Sequence, residues 1–132
     1  MTMPSITAAD FAKCRFDFLV VGGGTAGLAL ASRLSENSNL TVGILEAGPA
    51  AFNHDAIDIP GKYGQTLGSD LDWQFETTPQ CGLGGRTLAW PRGKVLGGTS
   101  ALNFMTWNRA NKEDYDAWEE LGNRGWGWND LL

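Results

Sequence analysis

Histidine and cysteine are scarce in this chain of 132 residues, which holds one of the first and two of the second. His54 stands in a polar, loop-like stretch with no partner cluster around it, so it reads as a surface histidine rather than a catalytic or metal-ligating one. Cys14 and Cys81 are far apart and follow no metal or redox spacing, which makes them two unrelated reduced thiols. No metal site and no catalytic residue is expected from these types. Basic tracts are missing as well. Ten Lys and Arg against fifteen Asp and Glu leave a formal charge of −5, which argues against a nucleic-acid partner. Heptads, repeats and low-complexity segments are absent from the sequence. The one long uncharged apolar run, Phe18 to Ala31, contains four glycines. It is too short to cross a bilayer as a helix and carries no cleavage site as a signal segment. No membrane partner is expected, and a cytoplasmic location is the default.

That glycine-bearing run is the first positive signal. Phe16 to Val21 is short and almost wholly apolar, as suits a strand of a parallel sheet. It ends in Gly22-Gly23-Gly24-Thr25-Ala26-Gly27, a fit to G-x-G-x-x-G. Gly22 permits the tight turn, Gly24 lets the backbone approach a pyrophosphate, and Gly27 lets the next helix pack closely on the sheet. The spacing predicts that helix over Thr25 to Ser35, with Leu28, Ala31 and Leu34 facing the sheet. Its first N–H groups and its dipole offer a site for phosphate. Thr41 to Leu45 reads as a second parallel strand. Glu46 follows about 20 residues beyond the last glycine, where an acid takes ribose hydroxyls. Strand, turn, helix, strand and acid together predict a dinucleotide site.

Beyond Glu46 the pattern loosens, with one short helical turn expected near Ile57 to Gln65. Asp72 to Thr77 and Arg86 to Trp90 read as an antiparallel hairpin across the turn at Cys81 to Gly85. Gly97 and Gly98 again permit close backbone approach, and Thr99 or Ser100 is placed to cap a helix running to Arg109. Lys112 to Leu121 is an amphipathic helix with Tyr115 and Trp118 paired at i, i+3, ended by Gly122. Asn129 is placed to cap a last helix. The fold class is α/β: a partial Rossmann-like βαβ unit, an antiparallel hairpin and two further helices, with the doubly wound sheet incomplete. Residues 1–15 form an N-terminal arm and 16–132 the binding portion.

From Phe16 onward the sequence resembles the glucose–methanol–choline (GMC) oxidoreductases, flavoenzymes that oxidise alcohols. The resemblance is carried by Gly93-Lys94, Leu96-Gly97-Gly98-Thr99-Ser100, Leu102-Asn103, Trp107, Ala110 and Asp116. Leu45-Glu46-Ala47-Gly48, Thr78-Pro79-Gln80 and Asp114-Tyr115-Asp116-Ala117-Trp118 are similar landmarks. It implies FAD as cofactor and partner. Thr25 and Ala26 would approach the diphosphate and Glu46 the adenosine ribose, with Gly22, Gly24 and Gly27 shaping the cofactor-binding turn. Gly98, Thr99 and Asn103, with backbone up to Thr106, would lie along the flavin or its diphosphate. Some relatives tether FAD through a histidine just before the asparagine. Leu102 holds that position here, implying noncovalent FAD. An NAD(P)-dependent dehydrogenase is the alternative βαβ reading, but such enzymes have no use for the Gly93 to Asn103 segment. The resemblance also implies a substrate domain and a late catalytic histidine that this chain lacks. It therefore reads as the N-terminal portion of such an enzyme, inactive in isolation, or as a non-enzymatic remnant.

Overall fold

The computed structural model describes residues 6–132; the first five residues of the expected 1–15 arm lie outside it. A one-turn helix α1 (Ala8–Phe11) opens the described chain, with Thr7 as its N-cap accepting from Asp10 N–H. The Phe11 and Phe16 rings lie 4.5 Å apart. A Cβ on Gly43 would reach both of them at 2.9 Å, so this arm sits on the second strand where only glycine leaves room.

The βαβ unit forms as the sequence predicts. β1 (Phe18–Val21), α2 (Thr25–Leu34) and β2 (Val42–Leu45) follow in order. β1 and β2 pair in parallel, with Phe18 opposite Val42 and Val21 opposite Leu45. Both strands start later than their apolar runs. At the entry, Asp17 and Phe18 N–H both donate to Thr41 O. Val20 and Ala31 bury against each other's elements, and Gly27 lets α2 close on β1, since a Cβ there would overlap Gly22 O. Of the expected helix face, Ala31 is buried while Leu28 and Leu34 are half-buried. Phe18, Leu19 and Val21 of β1 stay exposed, as an incomplete sheet leaves them.

A second cluster lies outside this unit: Leu71, Val95 and Leu102 are buried, with Ala51, Ile57, Leu67 and Ala101 against them. The segment leading to it holds α3 (Asp55–Asp58) and a 3₁₀ turn at Pro60–Lys62, close to where one helical turn was expected. The hairpin is present but short. β3 (Phe75–Glu76) pairs antiparallel with β4 (Ala89–Trp90), and single bridges at Asp72–Gly93 and Gln80–Arg86 extend it.

Two sequence expectations fail. Residues Thr99 to Arg109 do not form an α-helix; only a 3₁₀ turn, Gly98–Ala101, is present. Gly97, Gly98 and Met105 take φ of 99°, 58° and 55°, and the Asn103 side-chain Oδ1 accepts from Met105 N–H at 2.8 Å. That local bond takes the donor a helix would need. Secondly, Asn129 does not cap the last helix, α5 (Trp128–Leu131); Gly127 does. Trp128 N–H is already bound to Asp116 Oδ1 at 3.1 Å, which fixes the cap two residues earlier. Between them runs α4 (Lys112–Glu120), closed at its start by a capping box of Asn111 and Asp114 and followed by Gly122 at φ 100°. Tyr115 and Trp118 meet edge to face at 5.3 Å. No helix among the described residues is long and apolar enough to cross a membrane.

Candidate functional site

β1 and β2 end beside one another, and a cleft of about 740 Å³ opens there, at the carboxyl ends of the strands where open α/β sheets take ligands. Its lining brings together Gly22, Gly24, Thr25, Ala26 and Gly27 with Glu46, Gly98 and Thr99. Asn103 and Thr106 are not among the lining residues. Asn103 borders a separate cavity of about 40 Å³ beside Ser100 and Met105, and Thr106 lies in the exposed coil beyond it.

The turn owes its shape to Gly22, which leaves β1 at φ 98° and donates its N–H to Leu45 O at 2.7 Å. α2 then begins at Thr25 with Gly24 as a cap that offers no side chain. Ala26 and Gly27 N–H find no acceptor among the described residues. Two orphan donors at the positive end of a helix attract an anion. The second glycine pair is joined directly to this turn. Gly97 N–H donates to Gly23 O at 2.7 Å, and a Cβ on Gly98 would come within 2.7 Å of Gly24 Cα. Thr25 and Ser100 hydroxyls share a hydrogen bond. Thr99 Oγ1 accepts from Gly93 N–H at 3.2 Å.

Glu46 sits at the end of β2 and is half-buried. Its Oε2 accepts from Gly23 N–H at 2.7 Å and its Oε1 from Gly48 N–H at 3.0 Å. A carboxylate offers about four acceptor positions, so lone pairs remain for hydroxyl donors.

The opposite wall was not read from the sequence as part of the site. Trp73, Phe75, Arg92 and Gly93 line the cleft. The i, i+2 spacing of the two aromatics in an expected strand was a usable signal, since such residues share a face. Asp72 builds this wall. It is buried, and its Oδ1 accepts from Gln74 and Arg92 N–H at 2.9 and 3.1 Å while Oδ2 accepts from Gly68 N–H at 2.9 Å. Burial pushes its carboxyl up, but the three backbone donors outweigh this and hold it below the usual carboxylate range. Gln74 is held at φ 52° in consequence. His54 is exposed, caps α3 without a side-chain hydrogen bond, and is not in the cleft. Among the described residues no group of His, Cys, Asp and Glu is arranged to hold a metal.

The model of the GMC oxidoreductases matches residues 16–132. The chain belongs to the GMC oxidoreductase family. It is 47% identical over 132 residues to dehydrogenase citC of Monascus ruber, covering 98% of this chain and 21% of that one. Among solved structures it is similar to pyridoxine 4-oxidase from Mesorbium loti, with a TM-score of 0.77 and 39% identity over 89% of this chain and 23% of that one. An FAD-dependent oxidoreductase from Chaetomium thermophilum superposes with a TM-score of 0.75 at 42% identity, covering 89% of this chain and 20% of that one. The chain thus spans about a fifth of the length of the GMC proteins it matches. It corresponds to the N-terminal, FAD-binding part of a GMC oxidoreductase.

Proposed function

We propose that this chain supplies the FAD site of a flavoprotein oxidoreductase acting on CH–OH groups of donors. The observation that carries this is the meeting in one cleft of a helix start without a side-chain cap and with two free N–H groups, the bare backbone of Gly22, Gly24 and Gly98, and an acid at the end of the neighbouring strand. Each matches one part of a dinucleotide. Ala26 and Gly27 N–H would hold the diphosphate. Gly22, Gly24 and Gly98 leave its approach unobstructed. Glu46 would take the ribose hydroxyls with the lone pairs its backbone bonds leave free. Gly98 and Thr99 would border the route toward the flavin. Asn103 and Thr106 are assigned to the flavin by their motif alone, since neither reaches the cleft lining.

FAD, when bound, supplies a hydride acceptor at flavin N5. This chain's part is to bind and orient it. Noncovalent attachment is supported by Leu102, a hydrocarbon side chain only 3% exposed and packed with Leu71 and Val95, which offers no nucleophile. The alcohol, its base and the final electron acceptor belong to the longer form of such an enzyme.

The test is equilibrium dialysis of the purified chain against FAD, with NAD⁺ as competitor. Saturable retention of FAD that NAD⁺ does not displace, and release of intact FAD on acid precipitation, are the expected results. Failure to retain FAD overturns the reading, and flavin remaining on the precipitated protein overturns noncovalent attachment.

A further inference from the structure

We propose that Trp73 and Phe75 form the wall against which the isoalloxazine ring of the dinucleotide lies, and that its adenine lies elsewhere. This rests on the FAD reading above. Both side chains line the cleft. Their rings are nearly parallel, 8° apart in plane and 5.6 Å between centroids, yet they remain 42% and 50% exposed. A stacked pair left half in water is the surface that a further planar ring covers best, because stacking removes apolar area and matches the ring quadrupoles.

The wall is held by hydrogen bonds within the chain itself. Trp73 N–H donates to Arg92 O at 2.8 Å, and the Asp72 carboxylate holds the backbone on both sides of the pair through Gln74 and Arg92. Its place along the cleft favours the flavin end. Through Gly93 it joins Thr99 on the flank formed by the second glycine segment, whereas Glu46 marks the ribose end at β2.

Charge supports the same ring. The Lys94 ammonium lies 5.1 Å from the Trp73 ring, and the Arg92 guanidinium lies 5.1 Å from that of Trp90. Neither cation forms an ion pair among the described residues. In a chain of net charge −5, two unpaired cations at one wall are selective. Isoalloxazine carries two carbonyl oxygens and gains negative charge when it accepts a hydride. Adenine does neither.

The experiment reads flavin emission and binding, not turnover, on the full 132-residue chain. FAD, riboflavin and ADP are each titrated against the wild type, Trp73→Phe and Phe75→Leu, with urea midpoints confirming that each variant folds. An indole against the flavin quenches its emission. We expect bound riboflavin and FAD to be strongly quenched by the wild type and visibly brighter on Trp73→Phe, which keeps a ring but loses the indole. Phe75→Leu should weaken riboflavin and FAD by roughly tenfold, the scale of losing one stacked ring, with ADP unchanged. FAD retained with emission indifferent to Trp73→Phe overturns the proposal alone. So does a loss of ADP affinity parallel to that of FAD, which assigns the wall to adenine. A wild type that retains no FAD overturns the FAD reading and this proposal together.

Discussion

Glu46 Oε2 accepts the N–H of Gly23 at 2.7 Å, so the acid that ends β2 holds the glycine turn that ends β1. Its other oxygen holds Gly48. The residue expected to meet a ribose is therefore also a clamp between two loops, and both uses rely on the same surplus of acceptor lone pairs.

Removal of that carboxylate tests both uses. Glu46→Ala should weaken FAD binding by about 1.5–3 kcal/mol, the scale of charge-assisted hydrogen bonds. It should also lower stability by about 1–3 kcal/mol, as two partly buried N–H groups lose their acceptor. Fluorescence titration and urea unfolding read the two separately. Unchanged FAD affinity beside lowered stability would leave Glu46 as a clamp only.

Gly98 tests the contact between the glycine segments. Its φ of 58° disfavours any side chain, and a Cβ would press to 2.7 Å on Gly24 Cα. Gly98→Ala should destabilise the chain by about 2 kcal/mol or more, from backbone strain and the steric shift together. A urea midpoint equal to that of the wild type would show that the two segments can separate freely.

Asp72 predicts an acid-sensitive wall. Its carboxyl is held below the ordinary value by Gly68, Gln74 and Arg92 N–H, so its stabilisation is fully present above the unfolded pKa of about 4. That contribution falls away as pH drops through the lower folded value. Asp72→Ala should lose about 3 kcal/mol at neutral pH, from three unpaired buried donors. The difference from the wild type should shrink under strong acid. Urea unfolding at several pH values checks the slope, and a gap that persists after protonation would place the effect in packing.

Turnover is expected to be absent from the chain alone. Glu46 is the carboxylate at the cleft and already accepts two N–H bonds, while His54 is exposed outside it. Anaerobic addition of aliphatic or aryl alcohols to the FAD-loaded chain should leave the flavin absorbance oxidised. Bleaching of the flavin absorbance by an added alcohol would refute this.

Local chemistry made much of the molecule legible. The Gly22 to Gly27 turn could be read because left-handed φ and close approach admit few residues besides glycine. α4 could be read because Asn111, Asp114 and Gly122 mark its ends with caps. The stretch after Gly98 misled for a related reason. Thr99 and Ser100 look like caps, but Asn103 turns its own side chain onto Met105 N–H and no helix follows.

By itself, then, the sequence determined the βαβ unit, the acid at its end and the motif that marks the family, because each depends on neighbours within a few residues or on a fixed spacing. Only the tertiary structure decided that the two glycine segments touch, that Glu46 grips a loop before it meets a ribose, and that Trp73 and Phe75 face the cleft. Those facts depend on contacts between residues more than 20 positions apart. Backbone pairing and burial select such contacts, and no local pattern encodes them.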